Sequence, residues 1–475
     1  MTEVRRKRHD PSTVLAAVAA GHPATVDAGI ETLEEGGSAA DAAVAACLAS
    51  CVAETVMTGL LGGGHAIYFD ATAGVARNLD CFVAVPGLGG SRVSVEPVEL
   101  EIPFGTELVH YTVGIASCGV PGVPAGLAAL HESHGRLPWA RLVEPALRLA
   151  REGVEFPPAH AACLAMLAPV MTMNEGERIY APNGPLLSAG ERLEQPGLES
   201  ALEALAAQGA RDVYEGSLAE ALLDLMDDRG GLVTRADLAA YEATWSGPVE
   251  VPYAGTRFRT RAGLSGVPET LPRLPSLKPL SEPERAVAWA AALDGAGPES
   301  HTTNLTVIDR EGNACVLTTS LGLGSGDFLP GLDLHLNSML GETDLMLEPL
   351  DPGARMGSMM APSVALDDDG VALAIGAAGG TRLRSALLQV TAGILDEGLE
   401  PQAAVDRPRL HPAVGLVHLE PGFEEDSVRD LEERGYEVRA WPGRHHYFGG
   451  VSVVTRSGCA GDPRRSGTAG EAAPP

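Results

Sequence analysis

The sequence predicts a layered α/β fold in which helices cover stacked sheets. Helical patterns dominate the first half of the 475-residue chain, and strands and turns dominate after about residue 300. The two do not alternate as a ladder of parallel β-α-β units requires. Apolar residues make up 45% of the chain, enough for a large core, while aromatics make up only 4%. Such a core is built from small and aliphatic side chains, with close backbone approach at many of the 57 glycines. The length admits two or more ordinary domains or one large α/β unit.

Taken in order, Val26, Ile30 and Leu33 recur at helical spacing after His22-Pro23, and Gly36-Gly37 stops the run. Ser38 is then an N-cap for residues 39–56, an Ala-rich helix apolar nearly all round and hence buried. A glycine loop from Thr58 to Gly64 leads into a strand that begins at His65. Gly119-Val120-Pro121-Gly122-Val123-Pro124 precedes a helix that runs through His134. Residues 137–152 form another helix, with Pro138 near its start and Gly153 just past its end. Helical patterning continues to about Arg229, followed by a helical turn at 237–241 and a hairpin of 249–253 with 256–260. Residues 264–283 are rich in Pro, Gly and Ser and read as a linker, and 284–293 as a short helix. Beyond Thr302 come a strand at 372–375, a helix at 381–397 and a late strand at 451–454. The tail after Gly458 reads as frayed, and no internal repeat is visible.

Lys and Arg number 34 against 63 Asp and Glu, a formal net charge of −29. That surface repels phosphate backbones and argues against a nucleic-acid partner, the short basic run Arg5-Arg6-Lys7-Arg8 notwithstanding. The seven cysteines are scattered and lack the spacing of a zinc or CxxC site, which favours free thiols and a reducing compartment. No apolar run is long enough to cross a bilayer and no leader pattern follows the first residues. A soluble, cytoplasmic protein without metal or cofactor is the expectation.

The segment from His301-Thr302-Thr303-Asn304 to Asp309, then Arg310-Glu311-Gly312-Asn313-Ala314, reads as strand, turn and strand with Thr302 at the leading edge. A threonine hydroxyl is a poor nucleophile near neutrality and needs a base. Cutting the chain in front of it turns its own α-amine into that base. Ala377-Ala378-Gly379-Gly380-Thr381 joins a strand to a helix. Backbone N–H groups there favour negative charge, as an oxyanion hole demands, although such a junction is also an ordinary turn. Gly62-Gly63-Gly64 fits neither a dinucleotide fingerprint nor a P-loop; it is a tightly packed turn or the wall of a pocket. Arg355-Met356-Gly357-Ser358-Met359-Met360-Ala361-Pro362 reads as core and turn, or as a ligand site through Ser358. Gly324-Ser325-Gly326 is a turn and no nucleophile elbow is present. His445-His446 has no further ligand at useful spacing.

The order of these motifs resembles the gamma-glutamyltransferase (gamma-glutamyltranspeptidase) family of N-terminal-nucleophile hydrolases. His22-Pro23 through Gly36-Gly37-Ser38-Ala39-Ala40-Asp41, Glu54, the Thr58–Gly64 loop, Gly119–Leu127 and Asp237–Tyr241 carry the likeness in the first half. The Thr302 segment, Leu336-Asn337, Arg355–Pro362, Gly379-Gly380, Ala404–Leu410, Phe448-Gly449-Gly450 and Asp462-Pro463-Arg464-Arg465 carry it in the second. The resemblance implies a four-layer αββα sandwich of the N-terminal-nucleophile type, one intertwined unit. It implies self-cleavage into a large segment 1–301 and a small segment 302–475 that stay associated, and it admits a homodimer. Thr302 falls on the nucleophile, Ser320 on a supporting hydroxyl, and Gly379 and Gly380 on the oxyanion-hole glycines. Thr303, Glu342 and Ser358 fall on the substrate side, Glu342 near the donor's amine and Ser358 on one of two serines for its α-carboxylate. The implied substrate is a small or peptide-like amide, whose acyl group passes to an amine or water.

Departures concentrate on the donor. Phe82 stands near the family's carboxylate-clamping arginine, Met359 on the second serine, Gly322 where a donor-binding asparagine is usual, and Asn304 in place of a histidine. A guanidinium is not replaced by a phenyl ring. Phe82 and Met359 lean toward a donor that is less polar or lacks an α-carboxylate. An acylase or amidohydrolase on the same scaffold is therefore an open alternative, as is a non-catalytic relative used for binding.

Overall fold

A computed structural model describes residues 15–90, 95–104, 107–293, 302–346, 348–413 and 415–474. The basic run at Arg5–Arg8 and His301 lie outside these residues. Two antiparallel sheets stack at the centre. In chain order their strands are β1 (Ala17–Ala20), β2 (Gly63–Asp70), β3 (Val75–Cys81), β4 (Thr244–Ser246), β5 (Val249–Tyr253) and β6 (Thr256–Thr260). After Thr302 come β7 (Thr303–Ile308), β8 (Ala314–Ser320), β9 (Ser363–Asp367), β10 (Gly370–Ala378), β11 (Gly450–Thr455), β12 (Cys459–Gly461) and β13 (Thr468–Glu471). The seven-stranded sheet runs β13-β1-β7-β8-β2-β3-β4 and the six-stranded sheet β12-β11-β10-β9-β6-β5. Both sheets mix strands from before and after Thr302.

Helices α1 (Pro23–Glu34) and α2 (Ala39–Ala53) cover the outer face of the seven-stranded sheet. All fifteen residues of α2 are buried, as a sequence apolar but for Asp41 and Ser50 favours. Ser38 caps it through a reciprocal bond with Asp41, so the helix starts where the sequence places it. It stops at Ala53, three residues short of the expected end, because Glu54 leaves helical geometry to enter the loop toward Gly64. On the other side α3 (Glu282–Leu293) and α4 (Arg382–Leu395) join the core of the six-stranded sheet, where Leu383, Leu387 and Val390 meet Leu373, Ile375 and Val453. Between the sheets Ile67, Phe69, Val316, Val364, Leu366 and Val454 interdigitate. The order helix, sheet, sheet, helix is the predicted four-layer sandwich.

Two sequence expectations are corrected. The 264–283 segment is not a free linker: Val267, Leu271 and Leu277 are buried in the core beneath the six-stranded sheet. Asp396 accepts hydrogen bonds from the Ser276 hydroxyl and the Lys278 N–H, so proline and glycine shorten its helices without releasing it. The tail after Gly458 is not frayed either. β12 pairs with β11, β13 pairs with β1, and the turn between them buries Arg464 and Arg465. The first half is also less helical than expected, since β1, β3, β4 and a hairpin of Val98–Phe104 with Glu107–Val113 were not anticipated.

The glycine loop resolves as tight packing. A Cβ on Gly62 would lie 2.2 Å from the Ser320 carbonyl oxygen, and one on Gly63 would lie 2.7 Å from the Val83 nitrogen. Only glycine lets this loop close against the end of β8.

Candidate active site

Thr302 immediately precedes β7 and is buried, with 2% of its surface exposed. Register pairs Thr303 with Thr319, so Thr302 stands opposite Ser320 at the same end of the sheet. Side chains alternate along the strand. Asn304 and Thr306 face the second sheet, where the Thr306 hydroxyl donates to the Ser452 carbonyl (2.9 Å) and Ser452 Oγ donates to the Asn304 carbonyl (3.0 Å). Thr303 faces the helices and its hydroxyl donates to the Glu54 carboxylate at the end of α2.

Thr302 shares the face of Asn304, which brings it to the end of β10. There the Gly379 N–H donates to Thr302 Oγ1 at 2.9 Å. Gly379 has φ +131 and Gly380 φ +57, and a Cβ on Gly379 would stand 2.8 Å from Gly449 Cα. Glycine is required for that N–H to point at the hydroxyl. Ser320 Oγ accepts the Gly322 N–H (2.9 Å), fixing the turn beyond β8.

Thr302 lies between two chambers of unlike chemistry. The first is lined by Glu54, Thr303, His160 and Arg465. Glu54 is buried, accepts from Thr25 Oγ1 (2.7 Å) as well as Thr303, and faces Arg465. Burial pushes its carboxyl up to about 7, opposed by the two threonine hydroxyls and the arginine. Burial lowers Arg465 in turn and takes His160 down to about 3, which keeps that imidazole neutral. Arg465 Nη1 donates to the Thr302 carbonyl (3.3 Å). Its turn is anchored by Asp462, which accepts from the Arg464 N–H (3.0 Å) and Val451 N–H (3.1 Å) and pairs with Arg409 at 2.5 Å. Burial alone would raise Asp462, but Arg409 and Arg464 hold it below the usual carboxylate range.

The second chamber is walled by Phe82, Leu345, Ser358, Met359, Met360 and Leu383, with Thr302 and Gly380 at its rim. Ser358 Oγ accepts the Met360 N–H at 3.2 Å. Met339, Met356 and Val83 back the same apolar cluster.

Of the residues singled out in the sequence, the structure brings Thr302 and Gly379 into contact and puts Gly380 beside them. The substrate-side trio does not converge. Ser358 lines the apolar chamber, Thr303 turns away toward Glu54, and Glu342 is buried beside the Gly322 turn, its Oε1 2.9 Å from where a Gly322 Cβ would stand. Glu54, Arg465, Met360, Leu345 and Leu383 were missed as site residues. One signal existed for Glu54: it is the charge that ends an otherwise apolar fifteen-residue helix. His445 serves as a cap, its Nδ1 accepting the Tyr447 N–H at 3.1 Å.

Comparison with known proteins extends the match to nearly the whole chain. The family model described as Gamma-glutamyltranspeptidase matches residues 25–268 and 275–472. The Acylase ACY 1 proenzyme of Pseudomonas sp. (strain SE83) is 28% identical, over 92% of this chain and 89% of its own length. The Glutathione hydrolase proenzyme of Bacillus subtilis (strain 168) is 25% identical, over 90% of this chain and 85% of its own. The crystal structure of cephalosporin acylase from Bacillus halodurans superposes with a TM-score of 0.82 at 23% identity, covering 96% of each chain, and shares the αββα fold.

Proposed function

The chain belongs to the gamma-glutamyltranspeptidase family of N-terminal-nucleophile amidohydrolases, and on that premise we propose that it cuts itself before Thr302 and then cleaves amides through an acyl-enzyme on that residue. The observation that carries this reading is the Gly379 N–H aimed at Thr302 Oγ1 from 2.9 Å. A donor already set at the nucleophile is placed to meet the oxyanion that forms when the hydroxyl attacks a carbonyl.

The steps follow from that geometry. The freed α-amine has a reference pKa of about 7.7–8.0, so part of it is neutral near pH 7 and takes the Thr302 hydroxyl proton. Oγ1 adds to the amide carbon while Gly379 and Gly380 receive the negative oxygen. The C–N bond breaks, the leaving amine takes the proton, and an ester to Thr302 remains. Water or a second amine then attacks the ester, releasing the acid or a new amide and restoring the hydroxyl. Ser320 holds the turn at Gly322 beyond β8, and Thr303 ties the start of β7 to Glu54.

Segments 1–301 and 302–475 stay together because each contributes strands to both sheets. All seven cysteines are free thiols, which supports a cytoplasmic setting. Among the described residues no helix is long and apolar enough to cross a membrane.

Intact-mass measurement is the direct test. Wild-type protein should give two masses that meet between His301 and Thr302 and co-elute on sizing. Thr302→Ala should remain one chain and turn over no amide. A Thr302→Ala protein that still splits at that bond, or still hydrolyses an anilide, overturns the mechanism.

A further inference from the structure

Apart from the Ser358 hydroxyl, every side chain walling the second chamber presents hydrocarbon or thioether. That hydroxyl oxygen already accepts the Met360 N–H. Two arginines approach the same segment and both are engaged with protein. Arg261 Nη1 donates to the Ser358 carbonyl (2.8 Å) and the Met360 carbonyl (3.2 Å), gripping the chamber wall from behind. Arg355 lies 4.0 Å from the Tyr241 ring centroid and 3.7 Å from Asp80. His65 stacks on Phe82 with ring centroids 5.3 Å apart. Burial, then Arg261 and Arg355, hold that imidazole well below its usual range, so it offers no positive charge. A carboxylate brought into the chamber would lose its water and find both of these arginines already engaged. An apolar chain would only gain burial.

The walls also differ in stiffness. Phe82 is clamped: its N–H donates to Asp80 Oδ1 (2.9 Å) and its carbonyl accepts the Tyr241 hydroxyl (2.6 Å). Met359 and Met360 are unbranched and adapt to what lies against them. One wall is therefore fixed and one adjustable.

From this chamber we infer that the acyl group transferred by Thr302 is uncharged and apolar, a short aliphatic chain laid between Phe82 and the two methionines. The inference rests on Thr302 being the nucleophile. The reaction is balanced as above: the acyl carbon leaves nitrogen for Thr302 Oγ1, the departing amine carries the proton, and water releases an aliphatic carboxylic acid.

Processed wild-type enzyme is assayed with the p-nitroanilides of acetic, butyric, hexanoic and γ-glutamic acids. In parallel, intact mass of the small fragment is followed after p-nitrophenyl hexanoate is added. Expected is a rise in kcat/KM of about fourfold per methylene from acetyl to butyryl, the value of one buried CH₂. Butyryl should exceed γ-glutamyl by about a hundredfold or more, the scale of an uncompensated buried charge. Phe82→Arg should shift the preference toward γ-glutamyl, and the gentler Met359→Ser should lower the ratio of hexanoyl to acetyl turnover. Best turnover of the γ-glutamyl anilide, or variants that leave the ratio unchanged, overturns the apolar chamber and spares the Thr302 mechanism. If no anilide is cleaved and p-nitrophenyl hexanoate adds no acyl mass to Thr302, the nucleophile itself is wrong and both readings fall.

Discussion

The two chambers that flank Thr302 are built by different rules. One holds Glu54, Arg465, Thr303 and His160; there Thr303 donates to Glu54 and Arg465 donates to the Thr302 carbonyl. The other is an apolar pocket whose residues touch Thr302 only as walls. The first fixes where the hydroxyl sits and the second fixes what can reach it. Each polar-chamber residue depends on a partner from another part of the chain: Glu54 on Thr25 and Thr303, Arg465 on Thr302. The apolar residues need only fill space, so that side can change substrate while the polar side stays constant.

The contrast is tested most severely at Gly379, which lies between Ala378 of the polar chamber and Gly380 of the apolar one. Gly379→Ala puts a Cβ at φ +131 within 2.8 Å of Gly449 Cα, which displaces the N–H that serves Thr302. The loss of one oxyanion donor should lower kcat by about 10²–10³-fold, roughly 3–4 kcal/mol. KM should change little, because neither chamber loses a wall. Steady-state kinetics on processed protein checks this, and a change confined to KM would remove Gly379 from the oxyanion site.

The polar chamber should also show itself in stability against pH. Burial pushes the Glu54 carboxyl up to about 7 from its ordinary 4.5, so the folded chain holds the proton more tightly than the unfolded one. Stability is therefore fullest below pH 4.5 as far as this group is concerned. It falls as pH rises toward 7 and is level above it. The drop is about 3 kcal/mol, taking about 1.4 kcal/mol per unit. Glu54→Gln carries no such slope, so its stability relative to wild type should climb by that amount between pH 4 and pH 8. Urea midpoints across that range measure it. Parallel curves would mean that Arg465 and the two threonines keep Glu54 ionised throughout.

What could be read from the sequence was local. The Ser38 cap, the apolar run behind it and the hairpin of β5 with β6 depend on residues a few positions apart, and the structure places them as expected. Thr302 and Gly379 showed locally only as the start of a strand and a strand-to-helix junction, and the roles expected of them came from the resemblance of the whole motif order. The contributions of Ala17–Ala20 and of the tail were not legible. Both are short runs of small residues with no periodicity, and they become strands only because β1 lies between β7 and β13. Arg465 was lost with the tail. The apolar chamber gathers Phe82, Leu345, Met359 and Leu383 from three separate stretches, and nothing in those stretches taken singly tells pocket from core.

The smallest expected effect separates the two chambers most cleanly. Among the described residues Ser358 and Thr302 are the hydroxyls lining the apolar chamber, and in the sequence Ser358 read as core and turn or, by resemblance, as a carboxylate ligand. In the structure its Oγ accepts the Met360 N–H, which ties it to the Met359-Met360 wall and leaves its own O–H proton to donate. Ser358→Ala leaves that N–H without its acceptor and should cost about 1 kcal/mol of stability. Turnover of an apolar anilide should fall less than about threefold, since roughly 0.65 kcal/mol corresponds to that factor and the acyl chain makes no polar contact to lose. A hydroxyl that held a donor carboxylate would behave otherwise. Its removal would strand a buried charge and cost about a hundredfold in kcat/KM on the charged donor. Measured on hexanoyl and γ-glutamyl anilides side by side, the same substitution thus reads out whether Ser358 supports a wall or grips a substrate.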